Sequence, residues 1–260
     1  MRRERAFGVA AGLDPQVARA LAARCQELGY ASMWSNDHPG GLGLETLAVF
    51  ADAAPTVDLG VAVMALDRHD PPAINAHIDR LGLDRSKLWL GVGAGFSKKP
   101  LTTMREAVGG LREAIPDVRL VLAAMGPKMC ALAGAEFDGV FFNWMTPTFA
   151  ADARANVESG AADAARETPP VFGYVRAAVG ADAAERLAKE ESFYRDLHDG
   201  YRNHFDRLGE SEGTVGVAAA DREQARQALS AYEALDVTVV RGLASANAEA
   251  MTSLATATAP

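Results

Sequence analysis

Short apolar runs alternate along this chain with longer stretches whose apolar residues recur every three or four positions. The first pattern predicts strands buried on both faces, and the second predicts helices packed on one face. Eight runs are predicted as strands: FGVAA (7–11), YASMWS (30–35), VDLGVAVMAL (57–66), KLWLGVGAG (87–95), VRLVLAAM (118–125), DGVFFNWM (138–145), VFGYVRAAVG (171–180) and DVTVVRGL (236–243). Helices are predicted at 14–29, 44–54, 71–82, 104–115, 127–136 and 148–167, at 183–209 as one or two helices, at 221–235, and finally before the TATAP tail. Several carry their own end signals. Asp14 caps the first, Pro15 enters its first turn, and Gly29 stops it. Gly109 and Gly110 weaken the helix at 104–115.

Regular alternation of strand and helix argues for a parallel sheet with helices outside. No linker or charge block divides the 260 residues. Eight units at this length predict an α/β fold, a single-domain (β/α)8 TIM barrel over 1–260, in preference to an open doubly wound sheet. Catalytic groups are then expected where strands end and the following loops begin.

Composition narrows the partners. The chain is 49% hydrophobic and 23% charged, with a formal net charge of −8. It has no Lys/Arg cluster dense enough to follow a phosphate backbone, which excludes nucleic acid and leaves a small-molecule substrate. Cys25 and Cys130 fall in helix-like stretches and read as reduced packing thiols. The opening MRRERAFGVAAGLDP is too briefly apolar for a secretory signal, and no run reaches the length of a membrane span. A soluble, cytoplasmic protein is expected, with no membrane partner.

Four strand ends attract attention. WSNDHPGG (34–41) places Asp37 and His38 after the second strand. A histidine near the barrel axis can exchange protons close to neutral pH, with Asp37 orienting it or facing outward; a solvated loop histidine is the plainer reading. His69 also follows a strand, whereas His77, His198 and His204 lie in predicted helices as surface or packing residues. The third strand passes through Ala62, Val63 and Met64, and the fourth ends in GVGAG (91–95). That glycine run lacks the spacing of a dinucleotide fingerprint, so it reads as a wall against a flat ring or as a tight barrel layer. The fifth ends in AAMGPK (123–128), with Pro127 at a helix start and Lys128 in the first turn. Such a turn can cradle a phosphate or can be a tight connection with an exposed lysine.

Together these segments resemble the bacterial luciferase-like family of flavin- and deazaflavin-dependent oxidoreductases. The resemblance covers ELGYASMWSNDH (27–38), residues 44–95, AAMGPKMCALAGAEFDGVFFNWMTP (123–147) and VTVVRGLAS (237–245). GPKMCALAGAEFDGVFFNW is similar to the form in enzymes that use coenzyme F420, of the methylenetetrahydromethanopterin reductase type. The resemblance implies a TIM barrel with a tricyclic ring at its C-terminal mouth, and Asp37 and His38 at the active-site aspartate–histidine position. It also implies a third-strand bulge with a non-proline cis peptide at about Ala62–Val63. Cofactor contacts are implied at Ala62, Val63 and Met64, at Gly93, Ala94 and Gly95, at the phosphate turn Ala124, Met125, Gly126, Pro127 and Lys128, and at Asn143. A homodimer is implied, burying helices 44–54 and 71–82, although a core-facing stripe has the same pattern.

Three departures from the family stand out, the first being Ser86–Lys87 where the family often reads glycine-arginine before the fourth strand. Phe96 occupies the place of a proton-donating glutamate found in some deazaflavin dehydrogenases, leaving proton transfer to His38, water or the substrate. The link between the fourth and fifth strands, FSKKPLTTMREAVGGLREAIPD, is short, which predicts an open pocket or one completed by a second subunit. The leading functional expectation is hydride transfer between coenzyme F420 and an organic substrate, with Arg176 or Arg241 meeting an anionic group. The alternatives are an FMN-dependent monooxygenase, a flavin- or deazaflavin-binding protein without turnover, and a barrel with no cofactor.

Overall fold

The computed structural model describes residues 3–260. Eight parallel strands close into a barrel: β1 (Glu4–Ala10), β2 (Ser32–Asn36), β3 (Asp58–Ala65), β4 (Leu88–Gly93), β5 (Arg119–Ala123), β6 (Gly139–Asn143), β7 (Val171–Val179) and β9 (Val237–Gly242). Pairing of β6 with β7 and of β9 with β1 completes the ring. The TIM barrel expected from the alternation is therefore the fold. A further strand, β8 (Val217–Ala219), pairs with the last residues of β7. It lies in the stretch TVGVAAA, which is too short and too small in its side chains to announce itself.

Helices wrap the outside: α1 (Pro15–Glu27), α2 (Gly43–Ala53), α3 (Pro71–Leu81), α4 (Pro100–Ala114), α5 (Pro127–Glu136), α6 (Pro147–Asp163), α7 (Ala183–Leu197), α8 (Asp199–Leu208), α9 (Arg222–Ser230) and α10 (Ala248–Ala257). Asp14, Asp70, Thr146, Asp221 and Asn247 cap their helices through side-chain oxygens. Among the described residues no helix is long and apolar enough to cross a membrane. Cys25 and Cys130 are buried free thiols; burial pushes both pKa values up, that of Cys130 to about 12.

The barrel interior is layered. At the bottom, Arg119 pairs with Asp58 at 3.0 Å and lies 4.0 Å over the Trp89 ring. Above it, Trp34 packs against Phe141 and Phe172, with ring centroids 4.8 and 5.1 Å away. The indole fits only because Gly60 faces it: a Cβ there would stand 2.3 Å from a ring carbon. Tyr174 closes this stack, 4.6 Å from Phe141, and leads to the mouth.

Strand β3 bulges beside the mouth. Val61 pairs with Leu90 and Met64 with Val92, so Ala62 and Val63 together oppose the single residue Gly91. A Cβ on Gly91 would come within 2.3 Å of the Val61 carbonyl oxygen, so the bulge requires glycine on the facing strand. The Ala62–Val63 peptide is cis, at the place the family resemblance implied.

Helices α7 and α8 bear on the expected open pocket. The short β4–β5 link holds only a six-residue loop (94–99), α4 and four further residues (115–118). The cover comes from the other side of the barrel. His198, between α7 and α8, packs tilted against Phe96 after β4 with ring centroids 5.0 Å apart, and Tyr201 reaches Asn143 at the end of β6. The mouth is thus roofed by the connection after β7.

Candidate active site at the barrel mouth

The stretch WSNDHPGG forms a tight turn. His38 and Gly41 exchange backbone hydrogen bonds at 3.2 and 3.0 Å, with Pro39 and Gly40 at the bend. Gly41 is pressed against the loop after β1, where a Cβ would lie 3.1 Å from that of Ala11.

Asp37 and His38 part company at this turn: of the two expected arrangements, the structure does not have Asp37 hydrogen-bonded to the imidazole. The Asp37 side chain is buried and takes three donors: the Gly43 N–H at 3.1 Å, Arg68 at 2.9 Å and His69 at 2.9 Å. The residue before α2, Leu42, offers no side-chain cap, so Asp37 supplies a negative charge to that helix start from a distance. Its other oxygen ties down the loop between β3 and α3. His38 is held separately, with Nε2 3.2 Å from the Ala11 carbonyl oxygen and Nδ1 accepting from the Gly40 N–H at 3.1 Å. That arrangement assigns the proton to Nε2, with Nδ1 as acceptor. The imidazole is half-buried on the rim of the mouth.

The bulge and β4 form a smooth wall. Ala62 belongs to the inner cluster, and Val63 packs against it. Gly93 faces Val63, whose Cγ2 would be 3.2 Å from an added Cβ. The side chains of Met64, Ala94 and Ala124 are buried in the layer between strands and helices, leaving only backbone for a ligand at those positions. Gly95 has a φ of 57°, and a Cβ there would collide with the Asp67 carboxylate at 2.0 Å. That carboxylate accepts the Phe96 N–H at 2.9 Å. An acid from the neighbouring loop therefore stands beside the position where Phe96 replaces a glutamate.

Helix α5 starts without a side-chain cap at Gly126, with Pro127 in its first turn and the exposed Lys128 next. Nothing would meet a Cβ on Gly126, so the space before the helix is open. Met125 is half-buried between this start and β5. The positive helix end and one lysine are features that favour an anion at this turn.

The end of β6 is more engaged than the sequence indicated. Asn143 accepts a short hydrogen bond from Arg176 and donates to the Tyr201 hydroxyl at 3.3 Å. Trp144 has a φ of 53° and lies 4.0 Å under the Arg176 guanidinium; its carbonyl accepts from His204 Nε2 at 2.6 Å. Tyr194 adds a second ring 5.0 Å from Arg176. Burial pushes the Tyr201 phenol up to about 12, so it stays protonated at neutral pH. Tyr174, Tyr194 and Tyr201 were not singled out by sequence reasoning. For Tyr174 the signal existed, because Phe172, Tyr174 and Arg176 alternate on one face of β7.

Among solved structures the chain is similar to an F420-dependent secondary alcohol dehydrogenase in complex with an F420–acetone adduct, at 14% identity, TM-score 0.74, and 99% coverage of each chain. It is also similar to the coenzyme F420-dependent tetrahydromethanopterin reductase from Methanopyrus kandleri, at 16% identity and TM-score 0.71, covering 98% of this chain and 97% of that one. A third is the oxygenating constituent of 3,6-diketocamphane monooxygenase from the CAM plasmid of Pseudomonas putida, in complex with FMN, at 13% identity and TM-score 0.67, covering 100% and 99%. At these identities the likeness establishes the shared fold. The sequence model of the luciferase-like monooxygenases matches residues 97–252, more than half of the chain, and this protein belongs to that family.

Proposed function

We propose that this protein is an oxidoreductase that uses coenzyme F420 to move a hydride to or from a small organic substrate. The observation that carries the reading is the joint placement of two features at one mouth: the smooth wall of Ala62, Val63 and Gly93, and the uncapped start of α5 at Gly126–Lys128. A flat tricycle with a phosphorylated tail fits that pair, since the wall is apolar and the helix start is a cationic anion seat. The preference for the deazaflavin over FMN is supported by the wording of GPKMCALAGAEFDGVFFNW and by the two F420-dependent structures above.

Bound there, the coenzyme would supply the two-electron chemistry, and the protein supplies orientation and electrostatics. His38 sits on the rim with a proton on Nε2, held to the Ala11 carbonyl until a substrate oxygen takes its place. Asp37 is a positioning residue, fixing the β3–α3 loop and the start of α2. Asp67 places a second side chain with acid–base chemistry beside Phe96 at the same mouth.

Fluorescence titration of the purified protein with F420 and with FMN tests the reading. Tight, saturable binding of F420 with little affinity for FMN is expected. The reverse preference points to a flavin-dependent monooxygenase, in line with the family's description. Binding of neither would remove the cofactor reading altogether. In a working assay, a His38→Ala variant that binds the cofactor normally and keeps full turnover would remove His38 from the chemistry.

A further inference from the structure

The inner face of β7 and β9 carries two cations that have no counter-charge among the described residues. Arg176 and Arg241 stand opposite each other in the register of these parallel strands, so both side chains leave the sheet on the same side. Arg176 is 2% exposed and Arg241 9%. The carboxylates of the adjoining helix are already engaged: Glu191 by Arg195 at 2.7 Å, and Asp182, just before α7, by Arg186 at 2.8 Å. Among the described residues Arg176 has one hydrogen-bond acceptor, Asn143 Oδ1, while its Nε has none; Arg241 forms no ion pair. The Tyr174 hydroxyl, one inner position below Arg176, is also buried without a partner.

Like charges opposite each other on neighbouring strands repel, and a buried cation without an anion is costly. The aromatic rings of Trp144 and Tyr194 soften the cost for Arg176 but offer no negative charge. Two guanidinium forks and a phenol donor, all buried at one strand edge, are the donor set that recognises a planar or tetrahedral oxyanion. The seat is separate from the rim turn at Gly126–Lys128, which lies two strands away on β5 and is open to solvent.

We infer that Arg176 and Arg241, with the Tyr174 hydroxyl, bind an anionic group of the substrate, a carboxylate or sulfonate carried into the mouth beneath the α7–α8 roof. The assignment to a substrate rests on the oxidoreductase reading; the anion seat itself does not. A reduced cofactor ring could present a similar anion, so the test separates the two sources.

The unfolding midpoint of the full chain is measured against sodium sulfate, with sodium chloride at equal ionic strength as reference, for wild type, Arg241→Met and Arg241→Gln. Wild type should show a saturable rise above the chloride curve, and both variants should lose at least half of it. The variants should also match or exceed wild type without sulfate, because an uncompensated charge has gone. Identical sulfate responses in all three proteins, or a wild-type rise that never saturates, would overturn the anion seat. Repeating the series with saturating F420, or with FMN if that is the one bound, should leave the sulfate response intact. Its disappearance would give the arginines to the cofactor and overturn the substrate assignment. If neither cofactor binds, the sulfate series still decides the seat on its own.

Discussion

Acid should loosen the roof of the mouth through a single imidazole. His204 on α8 is fully buried, donates from Nε2 to the Trp144 carbonyl at 2.6 Å, and has Nδ1 3.2 Å from Arg207. Burial is the main force lowering its pKa from 6.5; the hydrogen bond to Trp144 raises it, and the Arg207 charge lowers it further. The folded protein therefore holds His204 neutral at a pH where the unfolded chain has already bound a proton. Stability from this residue is complete above about pH 6.5 and is lost as pH falls from there toward the depressed folded value. One proton costs at most about 1.4 kcal/mol per pH unit, so the loss between about pH 6.5 and pH 5 can reach roughly 2 kcal/mol. His204→Gln keeps a donor for the Trp144 carbonyl and removes the titration. Urea unfolding of both proteins between about pH 7.5 and pH 5 should show wild type ahead at the upper end by about 1 kcal/mol, with the gap closing or reversing at the lower end. Hydrogen exchange on α8 should report the same change locally. A gap that stays constant across the range would mean that His204 titrates alike in both states, and the argument from its burial would fail.

Two further predictions concern the supports of the site. Helices α5 and α6 cross at paired glycines: a Cβ on Gly160 would lie 2.0 Å from the Ala131 carbonyl oxygen, and one on Gly134 would lie 2.0 Å from that of Val157. Gly160→Ala gains about 1 kcal/mol of helix propensity but forces the helices apart, an overpacking cost of about 1–3 kcal/mol and more against rigid backbone. Net destabilisation in urea is expected, and a variant as stable as wild type would show that the crossing yields. Asp37→Asn removes the charge that three donors share, which should cost about 2–4 kcal/mol, with the half-exposed Arg68 contributing least. Ring-nitrogen NMR should then show His69 perturbed and His38 unchanged. Equal shifts in both rings would restore the Asp37–His38 pairing.

The strands were legible because a parallel sheet buried on both faces writes itself as continuous apolar runs, as in VRLVLAAM and VFGYVRAAVG. β8 was not, being three residues long and bonded to one neighbour only. The turn at Gly126–Lys128 was legible because helix starts obey local rules. The partners of Asp37 were not, since Arg68 and His69 lie 31 and 32 residues further on and come together only through the β2–β3 pairing. The neighbours Asp37 and His38 looked like a pair because they are adjacent, and adjacency in an extended segment sends side chains to opposite sides.

That same alternation accounts for the rest of the mouth. Along β2 the inner face runs Trp34 and Asn36; along β6 it runs Phe141 and Asn143; along β7, Phe172, Tyr174 and Arg176; along β9, Val237, Val239 and Arg241. Each strand passes from apolar filling to a polar group as it nears the mouth, so these groups form the next layer of the barrel's own packing, and the loops add His38, Asp67 and the Gly126–Lys128 turn to it. The sequence shows each series separately. Only the register between strands brings Arg176 level with Arg241 and Asn143 level with Tyr174. Register follows from closure of the whole ring, which is why two arginines 65 positions apart stand level and two adjacent residues at the end of β2 do not form a dyad.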